Sequence, residues 1–349
     1  MDEMNAYLND IDRVLTLKPP FTPLDGCNIL ITGATGLIGS CIVDILMRPA
    51  KRTYHLTATG RNMERAQKRF SNYLDDKGFT LLRYDVNNPL EGDTCYDYII
   101  HAASNASPNF FLNHPVEVMT SNINGVAHLM QYGIAHGMRR MLYVSSGEVY
   151  GKSNVKIFKE QDNGYVDCTS VRSCYPSAKR AAETLCVSFA QEYKTEVVIA
   201  RPCHTYGPHF TEDDNRAYAQ FLRDTLQGHD IVLKSKGDQI RSWIYVVDCA
   251  SALLHILLKG TSGEAYNVAD KHSVLTIKQF AEAISHAAGR KVVFEIPDTA
   301  DGGNTTPIKH AIFSTSKLEA LGWRPLTPFD EAIVHTLSTL TTKKANKEE

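Results

Sequence analysis

The amino-acid sequence predicts an α/β fold: a doubly wound parallel sheet with a smaller, discontinuous C-terminal lobe. Three observations lead there. Apolar strand-like runs alternate with helical stretches from Asn28 to Ala200, the pattern of a parallel sheet covered on both faces. A glycine-rich turn joins the first run to the helix that follows it. Beyond "RPCHTYGP" (Arg201–Pro208) the alternation loosens into separate helices and polar loops.

The N-terminal stretch "MDEMNAYLNDIDRV" is acidic and polar and has no apolar signal core. Met4, Leu8, Ile11 and Leu15 fall on one face of a helix that docks on the body, so residues 1–25 read as an extension. The strand-like runs are 28–32, 55–59, 80–84, 96–101, 141–145 and 196–200. In such sheets ligands sit at the carboxyl ends of the strands. Asp85–Val86, "HAAS" (His101–Ser104) and "SSGEVYG" (Ser145–Gly151) lie there. Residues 26–205 with 241–271 are assigned to the sheet domain, and 206–240 with 272–342 to the lobe. Glu295–Thr306 reads as a loop, and the polar tail from Thr342 is expected to fray.

Composition narrows the function classes. Lys and Arg total 37 against 39 Asp and Glu, a net charge of −2. That balance gives neither a nucleic-acid footprint nor a membrane-directed basic helix. The most apolar stretch, Cys249–Leu258, is too short to cross a bilayer. The eight cysteines (27, 41, 95, 168, 174, 186, 203 and 249) include no CxxC pair. Scattered thiols of this kind point to a reducing cytoplasm, with no disulfide framework and no metal site.

Two motifs carry chemistry. In "NILITGATGLIGS" the glycines Gly33, Gly36 and Gly39 stand between a strand and a helix. Free backbone N–H groups and the positive helix end make an anion site there, suited to a dinucleotide diphosphate. The bland alternative is an ordinary loop closure. "YPSAK" sets Tyr175 and Lys179 four residues apart on one helix face. A nearby ammonium lowers a tyrosine pKa towards neutrality, and the phenolate then takes a proton from a substrate hydroxyl while hydride leaves for a nicotinamide. The alternative is a solvated Tyr–Lys pair.

The glycine turn, Asp85, "HAAS", Asn122, "SSGEVYG", YxxxK and "RPCHTYGP" follow one another in that order. In this the chain resembles the extended short-chain dehydrogenase/reductase family, the nucleotide-sugar epimerases, dehydratases and decarboxylases, from about Gly26 to Thr339. The resemblance implies a Rossmann domain with a retained nicotinamide cofactor, a C-terminal lobe that holds a nucleotide sugar, and a homodimer. It implies that Gly33, Thr35, Gly36, Leu37, Ile38 and Gly39 hold the cofactor diphosphate and that Asp85 and Val86 border its adenine. Ala102, Ala103, Ser104, Arg201 and Pro202 would complete the cofactor site. Ser146, Tyr175 and Lys179 would form the proton relay, with Asn122 supporting the helix or its water. For Asp85 a turn cap is the competing role.

At the end of the second strand, "LTATGRN" has Gly60 and Arg61 where a carboxylate for the adenosine ribose is expected. Arg61 would suit the 2′-phosphate of NADP; stacking on adenine or facing water are the alternatives, so the cofactor is NAD or NADP.

In "SSGEVYG" Gly147 stands where the dehydratases of this family carry an acid, and Glu148 follows. Expulsion of a 6-hydroxyl needs a proton donor that glycine lacks. Glu148 beside Ser146, "HAASNASP" with Ser107, and "RSCYPSAKRAAET" resemble the branch that decarboxylates UDP-glucuronate. Arg241 would then face the uronate carboxylate, bidentate pairing being the strength of guanidinium. An ion pair with Asp238 or Asp248, or a nucleotide phosphate, would also account for Arg241. A strand-end cap or salt bridge would account for Glu148. His204 replaces an asparagine common in the family near nicotinamide and substrate, and "HAIFSTSKLEALGW" is less charged than its relatives. Alternatives to the decarboxylase are a 4-epimerase, then a 4,6-dehydratase. Outside enzymes, the alternative is an NAD(P)-binding regulator or scaffold.

Overall fold

The computed structural model describes residues 6–16, 22–296 and 309–348. Its first half runs α1 (Ala6–Thr16), β1 (Asn28–Thr32), α2 (Leu37–Met47), β2 (His55–Gly60), α3 (Met63–Arg69), β3 (Phe79–Arg83), β4 (Tyr98–His101), α4 (Pro108–Asn113), α5 (Pro115–Ala135), β5 (Arg140–Val144), α6 (Cys174–Tyr193) and β6 (Glu196–Pro202). The second half continues with β7 (His204–Tyr206), α7 (Ala217–Leu226), β8 (Ile231–Leu233), β9 (Ile240–Tyr245), α8 (Val246–Lys259), β10 (Ala265–Val268), β11 (Val274–Thr276), α9 (Ile277–Ala287), β12 (Val292–Phe294), β13 (His310–Ala311), α10 (Ser316–Ala320) and α11 (Phe329–Glu348).

Seven parallel strands in the order β10-β6-β5-β4-β1-β2-β3 make the central sheet. Alternate residues of β1 serve opposite faces, as the strand period requires. Ile29 and Ile31 pack with the cores of α2 and α8, whereas Leu30 packs with Val126 of α5 and Ala182 of α6. Both faces are therefore covered, which explains why the strands read as continuous apolar runs. The chain winds outward from β1 to β3 and then returns to β4 on the other side of β1. That reversal opens a crevice between the ends of β1 and β4, where ligands bind in such sheets.

The remaining strands form two small sheets. β9 pairs antiparallel with β11 and parallel with β7 and β13. β12 and β8 form a parallel pair. The position of Arg241 in β9, opposite Leu275 and Ala311, ties this small sheet to the site described below.

Two terminal expectations are corrected. α1 buries Tyr7, Asp10, Ile11 and Val14, while Leu8 and Leu15 are only partly covered, so its inner face is turned from the expected one. The reason is polar: Tyr7 donates to Asp44 at 2.7 Å and Asp10 meets His335 of α11 at 2.8 Å, so the docking face includes a carboxylate. Met4 lies outside the described residues. The tail does not fray at Thr342; α11 continues to Glu348, and Lys344 Nζ donates to the Leu226 carbonyl at 3.3 Å. Of the expected loop Glu295–Thr306, residues 297–306 lie outside the described residues. Among the described residues no helix is long and apolar enough to cross a membrane.

Candidate active site

The three glycines of the first turn have three different reasons to be glycine. Gly33 has φ +70°, and a Cβ there would lie 2.5 Å from both the Ala102 oxygen and the Ala103 nitrogen. A Cβ on Gly39 would lie 2.3 Å from the Gly33 oxygen, so α2 could not start so close to the turn. Gly36 is different: its nearest neighbour would be 3.4 Å away, an ordinary contact. The protein's own packing does not demand glycine there, which leaves close approach of a ligand. Gly36 also caps α2 with no side-chain hydrogen bond to the first turn, the arrangement that offers N–H groups to an anion.

A groove of about 320 Å³ runs from this turn across the switch point. Gly33, Thr35, Gly36 and Leu37 line one end, Arg61, Asp85 and Val86 another, and Ala102, Ala103, Ser104 and Ser107 the floor. These residues fit a nicotinamide dinucleotide, with the diphosphate at the glycine turn. Asp85 lines the groove and also accepts from the Asn87 backbone at 3.0 Å, so its turn-cap role is real as well. Arg61 forms an exposed 2.8 Å ion pair with Glu117 of α5, which also lines the groove.

Seven expected cofactor residues do not line the groove; two of them, Tyr175 and Lys179, belong to the group at the end of β5 described below. Gly39 serves helix packing, as above, and Ile38 packs against the main core. Pro202 pairs with Val268 in the sheet. Asn122 is buried on α5, donating to the Val118 carbonyl at 2.7 Å while its Oδ1 has no protein partner. Arg201 is turned to Glu183 of α6, at 2.9 and 2.6 Å, and not to the groove. Its sequence position beside the β6 end misled because a neighbouring carboxylate captures the guanidinium.

The end of β5 meets α6 at the expected catalytic group. Tyr175 lies beside Ser146, and its ring stacks on Phe111 at 4.5 Å. Ser146 Oγ also accepts the Glu148 N–H at 3.2 Å. Lys179 is buried and donates to the Val144 carbonyl at 2.9 Å, with its Nζ 5.7 Å from the Tyr175 ring centre.

The expected direction of the Tyr175 pKa is corrected. Burial, and then the charge of Glu148, push it up to about 12, while Ser146, Arg216 and Arg172 pull the other way. Lys179 is itself pushed down to about 7 by burial, opposed by Glu183. The cations that act on the phenol are Arg216 and Arg172.

Arg172 and Arg216 are residues of this region that sequence reasoning did not single out. Arg172 binds Glu148 at 2.8 Å and lies 4.9 Å over the Phe111 ring. Its signal was its place three residues before Tyr175. Arg216 lines the groove, forms a bidentate pair with Asp214 (2.9 and 2.5 Å) and acts on both Tyr175 and His204. Nothing in "DNRAYAQF" marks it beyond its charge.

The residues expected to bind substrate lie towards the same end. Arg241 is buried, donates to the carbonyls of Ile240 and Lys309, and feels the charge of Glu148. Asp248 is not its partner; its oxygens accept the N–H groups of Leu326 and Thr327. Burial lowers the Arg241 pKa to about 10. His204 is reached by solvent yet ringed by protein, and burial, Arg241 and Arg216 hold it well below the usual histidine range, in the neutral form. Ser107 donates to Asn215 at 2.7 Å, joining the groove floor to the loop before α7. Gly147 faces Phe313: a Cβ at 147 would lie 2.2 Å from the ring.

Residues 29–269 match the profile described as NAD dependent epimerase/dehydratase family. UDP-glucuronic acid decarboxylase 6 of Arabidopsis thaliana is 30% identical over 336 residues, covering 93% of this chain and 94% of that protein. UDP-glucuronic acid decarboxylase 1 of Xenopus tropicalis is 28% identical over 341 residues, with 96% and 78% covered. Among solved structures, a Thermotoga maritima UDP-glucose 4-epimerase has a TM-score of 0.73 at 23% identity, covering 92% of this chain and 99% of that one. A dTDP-glucose 4,6-dehydratase from Streptomyces venezuelae with NAD bound reaches 0.76 at 20% identity, with 92% and 98% covered. At that identity the structures share the fold. The profile match runs from the first strand of the central sheet past the last, well over half of the chain, and this protein belongs to the NAD dependent epimerase/dehydratase family.

Proposed function

We propose that this enzyme decarboxylates a nucleotide-linked uronate, with UDP-glucuronate as the substrate to test first. The observation that carries the reading is the juxtaposition of a buried cation, Arg241, with Glu148 beside Tyr175. Guanidinium pairs bidentately with carboxylates, so Arg241 suits the carboxylate of a uronate. Relatives of nearly full length named UDP-glucuronic acid decarboxylase support the same reading.

Bound NAD supplies the means of taking hydride from sugar carbon 4 and returning it. Tyr175 takes the proton of the 4-hydroxyl as its phenolate, the form that Arg216 and Arg172 favour, and Ser146 hydrogen-bonds the same oxygen. The 4-ketone makes the uronate a β-keto acid, whose carbon–carbon bond to the carboxyl group breaks with release of carbon dioxide. Glu148, paired with Arg172, handles the proton that carbon 5 then takes up. Arg241 orients the carboxylate before it leaves. Elimination of water is disfavoured because Phe313 occupies the space that an acid at position 147 would need.

In the same reading, residues 26–205 with 241–271 hold NAD, and 206–240 with 272–342 hold the nucleotide sugar. The working form is a cytoplasmic homodimer. Eight free thiols support the compartment, and exposed Val116 and Met119 of α5 with Val187 and Tyr193 of α6 support self-association.

The deciding experiment incubates the purified protein with UDP-glucuronate and neutral UDP-hexoses and weighs the products by mass spectrometry. Loss of carbon dioxide from the uronate is expected. Interconversion of neutral hexoses with the uronate untouched would replace this reading with a 4-epimerase.

A further inference from the structure

One helix grips the carboxyl end of β5 at three successive residues. Lys179 donates to the Val144 carbonyl at 2.9 Å, Glu183 accepts from Ser145 Oγ at 2.5 Å, and Tyr175 lies beside Ser146. Tyr175, Lys179 and Glu183 stand four residues apart on α6, so they share one face. The chemistry proposed above uses Tyr175, the sequence analysis gave Lys179 a place beside it in the proton relay, and Glu183 is left without a role. Yet Glu183 is a carboxylate only 8% exposed, which a fold keeps only when its charge is answered.

Arg201 answers it with two hydrogen bonds, Nε at 2.9 Å and Nη2 at 2.6 Å. Arg201 is held in turn by the Glu160 carbonyl at 2.7 Å and the Tyr150 hydroxyl at 3.1 Å. Glu160 Oε1 accepts the Asn267 N–H of β10 at 2.9 Å. The clamp therefore joins α6, β6, β10 and the segment between β5 and α6.

The geometry points to Glu183 as a positioning residue: it fixes Ser146 against Tyr175 by holding Ser145, and it holds the charge of Lys179, with Arg201 as its clamp. This rests on the roles read above for Ser146 and Lys179. Ser145 and Ser146 share a peptide, so a bond that stops one from turning restrains the other. The groups that face the Lys179 side chain are His101 from β4, Tyr143 from β5, and Tyr175, Glu183 and Cys186 from its own helix. Glu183 is the carboxylate among them, and it is the main effect opposing burial, which brings Lys179 to about 7. A lysine balanced there loses its proton at neutral pH once that carboxylate is gone.

The test is an NMR titration of the NAD-loaded protein labelled with carbon-13 at lysine Cε. The Lys179 signal is identified by its loss in Lys179→Met. Glu183→Gln keeps an acceptor for Ser145 and drops the charge, so the Lys179 midpoint should fall by about one pH unit or more. Glu183→Asp should bring the midpoint back while turnover stays low, because the shorter side chain restores charge and not reach. If Glu183→Gln alone does not fold around an unpaired Arg201, Glu183→Gln with Arg201→Met removes both charges. A smaller fall in the same direction is then expected. An unchanged midpoint in either folded variant overturns the proposal. The titration needs no sugar nucleotide, so a wild type that ignores UDP-glucuronate would count against the proposed function and not against this inference.

Discussion

Gly147 and Phe313 meet so closely that one methyl group on Gly147 would sit 2.2 Å from the Phe313 ring. The ring is itself held by Tyr150 at 5.4 Å and Phe158 at 6.2 Å, so it has little freedom to retreat. Gly147→Ala should therefore destabilise the fold by about 1–3 kcal/mol, the usual cost of overpacking. Adding Phe313→Ala should make the Gly147→Ala step nearly free, because the colliding ring is gone. Chemical denaturation of the four-member cycle measures both. Additive losses would mean that the two residues do not collide in solution.

Tyr175→Phe retains the ring that stacks on Phe111 and removes the group that takes a proton. Turnover should fall at least about a hundredfold, while NAD affinity and the thermal midpoint stay close to wild type. Single-turnover kinetics beside cofactor titration separate these effects. Full activity in the variant would place the proton acceptor elsewhere.

Removing Arg241 should discriminate between substrates. A charge-assisted contact to a carboxylate contributes roughly 1.5–3 kcal/mol, so Arg241→Ala should raise the KM for UDP-glucuronate about 10- to 100-fold. A neutral UDP-hexose should lose much less. Steady-state kinetics with both substrates is the measurement, and equal losses would reassign Arg241 to the nucleotide.

Arg61 gives a contrasting expectation. Its pair with Glu117 is exposed on both sides, and such pairs contribute little. Arg61→Ala should change stability by less than about 0.5 kcal/mol. Calorimetric titration of the variant with NAD and NADP should show similar small effects. A selective loss of NADP binding would show that the guanidinium leaves Glu117 for a 2′-phosphate.

Lys179 also predicts a pH dependence of stability. Its pKa is about 7 in the fold against an ordinary value of 10.5. Between those values the unfolded chain binds the extra proton, so this group's contribution makes the fold more stable as pH rises. Denaturation from pH 7 to 10 should show the wild type gaining on Lys179→Met across that window. Parallel curves would mean that Lys179 keeps an ordinary pKa.

Much of the molecule was legible in the chain because the relevant physics is local. Ile29–Leu30–Ile31 reads as a doubly covered strand and the glycine-rich turn after it can be read from the residues, while the φ of +70° at Gly33 came with the structure. Tyr175 and Lys179 share a face because a helix turns once in about 3.6 residues. The arginines were not legible in this way. Arg201 looked like a cofactor residue until Glu183 captured it, and Arg216 looked like a surface charge until it lined the groove.

What the sequence determined by itself is therefore the parallel sheet, the glycine turn after its first strand and the Tyr175–Lys179 pair. Each follows from periodicity or from spacing within one stretch, whereas Ser146 came from the resemblance. Tertiary structure alone decided which way the charges act. Burial lowers the Lys179 pKa to about 7, and its side chain lies against Tyr143 and His101, 36 and 78 residues earlier in the chain. Phe313 closes the space beside Gly147 from 166 residues away. Desolvation and steric exclusion depend on what is nearby in space, and no local pattern in the chain records that.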